Sequence, residues 1–246
     1  MRKTVLALSL LALCSALPAP ADPGHSTAGQ APPAFDDFFV DRALRIDLYQ
    51  AGDAKEERIT VHRIAAEGAW PETKDGLLPP FDQGRYVLEV VDAASNRLLF
   101  RRGFDTMYAE YKTTSPALAG EVRVFERSVR IPEPKRPVLF TIGARDRRNL
   151  LRPVFDRLID PADYHIVRES PAAGDEIFTL QEKGDPHDKV DVVFVAEGYT
   201  AAARDKFRAD AGRMTDFLFG LEPYKSLRDR FNVRAVFRPS PEAGMD

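Results

Sequence analysis

Residues 190–200 read VDVVFVAEGYT, an almost unbroken apolar run that ends in a glycine-containing turn. Residues 190–196 contain a single charge, which is typical of a strand covered on both faces in a parallel sheet. Thr200 can cap the helix that we predict after the turn, and Gly220 with Pro223 ends that helix. The buried face of the helix is predicted from apolar residues at steps of three and four: Phe207, Ala211, Met214, Phe217, Leu218 and Leu221.

A second strand follows the predicted helix. Residues 231–237, FNVRAVF, alternate between apolar and other side chains with the period of two that indicates a half-buried strand. Strand, helix and strand in this order predict a βαβ unit with a right-handed crossover. We therefore assign residues 190–246 to the start of an α/β domain, and we expect this domain to be incomplete because one helix cannot cover both faces of a parallel sheet.

The turn Glu197-Gly198-Tyr199 is the candidate functional segment, since it leaves the carboxyl end of the first predicted strand. Ligands of open α/β sheets usually bind at that edge. Gly198 allows a sharp backbone turn, after which Glu197 and Tyr199 could face a cleft. The alternative is a structural turn between strand and helix, because position alone does not make a carboxylate catalytic.

Residues 37–165 have the signals of an antiparallel β-sandwich. Apolar and polar side chains alternate along 44–49 and 85–90, and further strands are predicted at 59–64, 97–104, 121–125 and 138–142. Turn-rich segments separate these strands without intervening helical periodicity. Residues 145–160 show helical spacing, although Pro153 would interrupt a helix. We predict a linker at 166–189 between the sandwich and the α/β unit. A β-sandwich followed by an α/β unit makes the predicted fold class α+β overall.

Four aromatic side chains of the predicted sandwich admit two interpretations. The first is core or rim packing of Trp70, Phe104, Tyr108 and Tyr111, because large aromatic rings dominate the cores of such domains. The second is an aromatic platform that binds a glycan. The second interpretation would make the protein a non-catalytic secreted module that binds a glycan or a surface protein.

The first residues predict export. Arg2 and Lys3 precede an apolar run at 5–13 that is too short to span a bilayer, and a small-residue site follows. We predict a signal peptide at 1–21 with cleavage after Ala21, a proline- and alanine-rich tether at 22–36, and a secreted or periplasmic protein. Cys14, the only cysteine, would be removed with the signal peptide; the alternative is a lipidated Cys14 that anchors the protein.

Composition restricts the classes of function. The chain has 44% hydrophobic and 30% charged residues, and its formal net charge of -3 gives no basic excess for nucleic acid. We expect neither a nucleic-acid partner nor an integral membrane span. The four histidines, at positions 25, 62, 165 and 187, are never four apart, so the sequence contains no HExxH, and it contains no GxSxG elbow. The acidic residues around His187 indicate a solvated turn, with a metal site as the alternative.

Two blocks of the sequence resemble the IgA peptidase family of zinc metallopeptidases. The block at 191–244 includes DVVFVAEGYT, KFRAD, FLFGLEPYKS and RFNVRAVFRPSPEAG, which are similar to the opening of that family's catalytic domain. The upstream block includes EGAW, GRYVLEVVD, RRGFDTMYAEYKTT and SVRIPEPKRPVLFTIGARD, which are similar to the family's N-terminal β-sandwich domain. The two blocks occur in the order that the family has.

The resemblance implies a secreted or periplasmic endopeptidase for a protein or peptide substrate, in which zinc polarises the scissile carbonyl and a glutamate activates water. The family's HExxH helix is expected beyond Asp246, so we assign no catalytic, cofactor-binding or metal-binding residue in this chain. We expect this portion to bind no zinc and to be inactive alone. IgA as substrate and the oligomeric state stay open. An unfinished sheet should also expose apolar side chains: Phe194, Val195, Phe217 and Phe237.

Overall fold

The structure, a computed structural model, describes residues 31–81, 83–170 and 174–244. The predicted signal peptide, Cys14 and residues 22–30 of the predicted tether lie outside these described residues. Within the described part of the chain, no helix combines the length and the apolar character that a membrane span requires.

The described residues form eleven strands and four short or medium α-helices. The strands are β1 (Phe39–Gly52), β2 (Glu57–Ala66), β3 (Tyr86–Asp92), β4 (Leu98–Phe104), β5 (Arg123–Pro134), β6 (Val138–Arg145), β7 (Leu151–Ile159), β8 (Val167–Arg168), β9 (Glu176–Gln181), β10 (Val190–Val195) and β11 (Phe231–Phe237). The helices are α1 (Phe35–Phe38), α2 (Met107–Tyr111), α3 (Ser115–Leu118) and α4 (Arg204–Leu218). The strand orders of the three sheets are β5-β1-β2-β8, β4-β3-β6-β7 and β10-β11-β9.

The first two sheets pack face to face and form the predicted β-sandwich. Along β1, Leu44, Ile46 and Leu48 are buried, and the side chains between them are half-buried. These three residues share one hydrophobic core with the second sheet, including Val90 of β3 and Phe140 of β6. Because alternate side chains of a strand point to opposite faces, the period of two correctly predicts the core face of β1.

β3 is more buried than its sequence pattern predicts. The pattern predicts one apolar face, but all seven residues of β3 are buried, Val87 and Glu89 included. β3 is a central strand that pairs antiparallel with β4 on one side and β6 on the other. Glu89 is tolerated there because Arg101, its cross-strand partner on β4, forms an ion pair with it at 3.5 Å.

The helical spacing at 145–160 is misleading, because residues Leu151–Ile159 form the strand β7. β7 pairs antiparallel with β6 and is the last strand of its sheet. Pro153 lies opposite Gly143, where the register shifts by a bulge. An edge strand tolerates proline since it leaves one row of backbone N–H groups without a partner strand. Pairing with β6 therefore overrides the local helical pattern.

The segment predicted as a linker, 166–189, contains two strands. β8 pairs in parallel with the end of β2, where Ala65 lies opposite Val167. β9 pairs antiparallel with β11 in the third sheet. The first part of the segment therefore belongs to the sandwich sheet, and the part from β9 onward belongs to the α/β unit.

An ion-pair network holds the end of β8 on the outer face of the sandwich. Arg45 of β1 contacts Asp47 at 2.9 Å and Glu169, which follows β8, at 3.0 Å. Arg63 of β2 pairs with the same two acids, at 3.1 Å and 3.3 Å. Burial tends to raise the pKa of Asp47, but hydrogen bonds from Arg45 and two further side chains lower it to about 2. The acid therefore stays ionised, and the network stays intact, through the neutral and mildly acidic range.

The third sheet and α4 form the predicted βαβ unit. β10 and β11 pair in parallel, and α4 connects them along the chain. One face of the sheet packs against α4, and this small core contains Phe207 and Ala211 of the helix with Phe178, Ala235 and Phe237 of the strands. β9, antiparallel to β11, extends the sheet on the side away from β10.

The opposite face of the third sheet is open among the described residues. The register places Val195, Val236 and Ile177 side by side across the three strands, and Val195 and Ile177 are 68% and 64% exposed. The prediction that residues 190–196 are covered on both faces is wrong for the described chain, because Val193 and Val195 are exposed. The predicted buried face of the helix is wrong in part, because Met214, Phe217 and Leu221 are exposed. For Phe217, the structure agrees instead with the separate expectation that an unfinished sheet leaves it exposed.

Four apolar side chains are predicted to be exposed by an unfinished sheet. Val195 and Phe217 are exposed, as predicted. Phe237 is buried under α4, and Phe194 is half-buried against the same small core. Phe194 and Phe237 lie on the sheet face that the helix covers, whereas Val195 lies on the open face. For the three strand residues, exposure therefore follows the side of the sheet on which each lies, whereas Phe217 lies on α4.

Candidate functional site

Two loops meet where β10 and β11 end, and they form the candidate site. The first loop, 197–200, follows β10, and the second, 238–244, follows β11. Gly198 N donates to the Ser240 hydroxyl at 2.9 Å, Ser240 N donates to the Tyr199 carbonyl at 2.8 Å, and Gly244 N donates to the Gly198 carbonyl at 3.1 Å. Because the strands are parallel, their carboxyl ends lie at one edge of the sheet, and the loops are brought together there.

The close approach of the loops depends on Gly198. Its φ of +70° lies in the left-handed region, which favours glycine. A Cβ at this position would also fall on the carbonyl oxygen of Gly244. The residue that sequence analysis selected for a sharp turn is therefore required by the turn and by the contact between the loops.

Tyr199 faces the helix. Its hydroxyl donates to Asp210 Oδ2 of α4 at 2.9 Å, and its ring packs edge-on against Phe207 with centroids 5.2 Å apart. Asp210 is also bonded by Lys206 at 2.6 Å and by Arg213 at 2.8 Å. The Lys206 bond and then the Tyr199 bond lower the pKa of Asp210 to about 2, and the bond to Asp210 raises the pKa of Tyr199. This ion-paired anchor fixes the first loop to the helix.

Glu197 and Gly198 line a concave space of about 450 Å³ between the two loops. Ser240, Glu242 and Gly244 complete its wall from the second loop. Glu197 is exposed, so its carboxylate is in contact with solvent and is accessible to a ligand. Of the three residues in the predicted cleft-side segment, Glu197 and Gly198 thus line the pocket, whereas Tyr199 packs against α4.

Thr200 does not cap α4 directly. It precedes a 3-10 turn at Ala201–Ala203, makes no capping bond through its side chain, and is followed by α4 only from Arg204. Arg204 bonds to Glu176 of β9 through Nε at 2.7 Å. The start of the helix is therefore positioned by an ion pair to the sheet.

The described histidines do not fit a zinc site. His62 packs against the ring of Tyr49, and His165 Nδ1 contacts Asp163 at 2.8 Å within its own exposed turn. Both ring nitrogens of His187 face oxygen atoms of other residues. Among the described residues, no group of three or more histidine, cysteine, aspartate or glutamate side chains is arranged to hold a metal ion. We derive no reaction step through zinc from these residues.

The acidic turn around His187 differs from the solvated turn that its sequence indicates. Asp191 accepts a hydrogen bond from Asn232 Nδ2 at 3.0 Å, whereas the ring of His187 extends to the sandwich and is 12% exposed. The contact of His187 with the sandwich could not be predicted from the sequence. Its partners, Glu72 and Asp41, precede it by more than one hundred positions.

Of the four aromatic side chains considered for a glycan platform, three are buried, and Phe104 is half-buried against the sandwich core. Trp70 is 1% exposed, lies edge-on to Phe100 at 5.7 Å, and donates from Nε1 to the Thr73 carbonyl at 3.3 Å. Tyr108 and Tyr111 are buried as well. Core packing is thus confirmed for these three residues. A glycan platform built on Trp70 is wrong, because its ring face is not accessible.

Two protein-family models match the chain one after the other. Residues 34–156 match the model described as Peptidase M64 N-terminus. Residues 178–246 match the model described as IgA Peptidase M64. The first match covers the sandwich as far as β7, and the second begins within β9 and includes both loops of the candidate site. A comparison with curated proteins finds no match.

Proposed function

Because the chain belongs to the M64 family of IgA peptidases, we propose that it is the N-terminal portion of an exported zinc metalloendopeptidase that acts on protein or peptide substrates. In this proposal the sandwich is an accessory domain, and residues from β9 onward begin the peptidase domain. Hydrolysis by a zinc-activated water belongs to the full-length enzyme, and residues 22–246 are inactive alone.

The open face of the third sheet is the observation that supports this proposal most directly. A sheet with parallel strands is normally covered by helices on both faces. Among the described residues, α4 covers one face of this sheet, while the row of Val195, Val236 and Ile177 lies uncovered on the other, next to the edge of β10. Such a face is expected where further strands and helices of the same domain pack. The region with this face is the region that the peptidase model matches.

The candidate site has a structural and a recognition role in this proposal. The loops at 197–200 and 238–244 form one wall of the substrate cleft, and the pocket between them has the size of one or two side chains of a peptide. Glu197 is the ligand-facing group, while Gly198 and the Tyr199–Asp210 bond keep the wall in place. In the full-length protein, zinc ligands would come from an HExxH helix beyond Asp246.

The test compares residues 22–246 with the product of the extended reading frame. We expect the extended protein to contain HExxH within about 150–200 further residues, since a domain of ordinary size ends by then. The extended protein should bind zinc stoichiometrically and hydrolyse peptides in a chelator-sensitive manner, and residues 22–246 should do neither. Zinc content by mass spectrometry and cleavage of a fluorogenic peptide library provide the measurements. Chelator-sensitive hydrolysis by residues 22–246 alone would contradict the proposal.

Export is tested at the amino terminus of the mature protein. We expect mass spectrometry of the protein from the periplasm or the culture medium to give Asp22 as the first residue, because the signal peptide is cleaved after Ala21. A mature protein that starts at Cys14 and has acyl chains would contradict this cleavage site and would support the lipid anchor.

A further inference from the structure

His187 lies in the turn before β10 and extends to the sandwich. Its backbone N–H donates to Asp185 Oδ1 at 2.9 Å, and a turn bond from Asp188 N to the Asp185 carbonyl, 2.9 Å, closes the same turn. The imidazole ring leaves this turn and packs against the loop at 70–74 and the start of β1. The ring is 12% exposed, so its polar atoms depend mainly on protein partners.

Both nitrogens of the ring face groups that can only accept a hydrogen bond. Nδ1 lies 2.9 Å from the backbone carbonyl oxygen of Glu72, and Nε2 lies 3.0 Å from Oδ2 of Asp41. A neutral imidazole has one N–H donor and one lone pair, whereas the imidazolium form has two donors. Since a carbonyl and an ionised carboxylate have no proton to donate, both bonds form only when the ring is doubly protonated. The geometry therefore selects the imidazolium ion.

We propose that His187 is a proton-dependent latch that fastens the α/β unit to the sandwich when its ring is doubly protonated and releases it when the ring is neutral. In the neutral form, one ring lone pair would face an oxygen lone pair of Glu72 or Asp41. That contact is repulsive and leaves a nearly buried acceptor without a donor. This inference concerns two parts of the described chain and stands independently of the peptidase proposal.

The charges around the ring come from four segments. Asp41 of β1 accepts from Trp70 N at 3.2 Å and forms an ion pair with Lys74 at 2.9 Å in addition to the His187 bond. The Glu72 carboxylate turns away to Arg102 of β4, at 2.8 Å. Asp185 is the acid of the turn that contains His187 itself. Asp41 therefore accepts hydrogen bonds from the His187 ring, from Lys74 and from the backbone N–H of Trp70.

The balance of these groups favours the protonated ring. Burial lowers the pKa of His187, and the positive charge of Lys74 lowers it further. The hydrogen bond to the Glu72 carbonyl and the bond and charge of Asp41 raise it, and together they place it above its ordinary value of 6.5. A raised pKa means that the stabilisation is fully present below the ordinary value and is lost as the pH rises through the folded-state value. The latch is therefore closed in mild acid and opens toward alkaline pH.

The experiment follows the ring and the contact separately. The sample is the protein of residues 22–246 with ¹⁵N-labelled histidine, and its ring ¹⁵N shifts report whether each nitrogen is protonated. Hydrogen exchange, corrected for its intrinsic pH dependence, reports the protection of the segments at 70–76 and 183–190. We expect His187 to titrate above 6.5 and both segments to lose protection together over the same range. If the contact raises the pKa of His187 by one unit, deprotonation of the ring lowers the ratio of closed to open molecules about tenfold.

Three variants make the test specific. The glutamine amide of His187→Gln does not titrate, so the pH-dependent change in protection of both segments should disappear. Asp41→Asn removes the negative charge and should move the titration of His187 to lower pH. His165→Gln is the matched control, because His165 also contacts an aspartate, but this partner is Asp163 of its own exposed turn. This control should retain the change in full.

Two results would overturn the latch. The first is a His187 ring with one protonated nitrogen at about pH 5.5, where an ordinary histidine is already mostly charged. The second is an equal pH-dependent change in protection for the unmodified chain and for His187→Gln. If His187→Gln fails to fold, the ring shifts of the unmodified chain and the titration of Asp41→Asn still decide between the two outcomes.

Discussion

Replacing Trp70 with alanine is expected to destabilise the sandwich by about 3–5 kcal/mol, the usual cost of removing a large buried aromatic side chain. Trp70 is 1% exposed, and its ring is held by an edge-on contact with Phe100 and by the hydrogen bond to the Thr73 carbonyl. The substitution removes the apolar contacts and leaves a cavity between the two sheets. Urea unfolding followed by far-ultraviolet circular dichroism measures the change, since Trp70 is the only tryptophan and its fluorescence is lost with it.

The matched control for this substitution is Tyr164→Ala. Tyr164 is 87% exposed, so its removal should change the free energy of unfolding by less than about 0.5 kcal/mol. A Trp70→Ala protein that unfolds at the same urea concentration as the control would mean that the tryptophan does not pack in the core. In that case the aromatic platform would again be a valid interpretation.

Replacing Gly198 with alanine is expected to destabilise the α/β unit by at least about 2 kcal/mol, because a side chain is forced into the left-handed region. The φ of Gly198 is +70°, and the added Cβ would meet the carbonyl oxygen of Gly244, a backbone atom that can move only with its loop. The loops at 197–200 and 238–244 should therefore separate, which would remove the wall of the candidate site. In the full-length enzyme we expect peptide hydrolysis to fall with the loss of this wall.

Gly212→Ala is the matched control for Gly198→Ala. Gly212 lies inside α4, and a Cβ there would meet no atom within 4 Å. Alanine should stabilise the helix at this position by up to about 1 kcal/mol, through helix propensity. Hydrogen exchange of the α4 amides measures both effects, and Trp70 fluorescence verifies that the sandwich is unchanged. Equal protection of α4 in the two variants would mean that the contact between the loops contributes no stability.

The periodic segments of this protein could be predicted from the sequence because their side chains record which face is buried. Leu44, Ile46 and Leu48 alternate in the sequence and are buried together in β1. Residues 231–237 show the same alternation, and in β11 Val233, Ala235 and Phe237 are buried. Two strands joined by a helix normally pair in parallel, so the order of strand, helix and strand predicts a parallel pair. The structure has this pairing between β10 and β11.

Other elements could not be predicted because their neighbours decide them. Residues 145–160 have helical spacing, but Leu151–Ile159 within them form β7, which pairs with β6. β3 is buried along its whole length, although its sequence predicts one apolar face, and its buried Glu89 forms an ion pair with Arg101 of the neighbouring strand β4. In the third sheet, the apolar run of β10 lies at an edge, so its composition overstates its burial in the described chain.

The candidate site divides in the same way. Its position after β10 and the need for glycine at 198 follow from the sequence, because a strand end and a sharp turn are local features. The partner loop at 238–244, the Tyr199–Asp210 bond and the contact of His187 with Asp41 were not predictable. Each joins residues that are from eleven to 146 positions apart, and no local pattern records such a pair.

By itself the sequence determined the sandwich and the βαβ unit, because alternating side chains and turn residues act over a few neighbouring positions. The relation to a peptidase family followed from the resemblance of two sequence blocks to that family. The tertiary structure decided which strands lie at edges, which charges are paired and which histidine nitrogens are bonded. These properties depend on the distance between groups that are remote in the chain, and folding alone sets that distance.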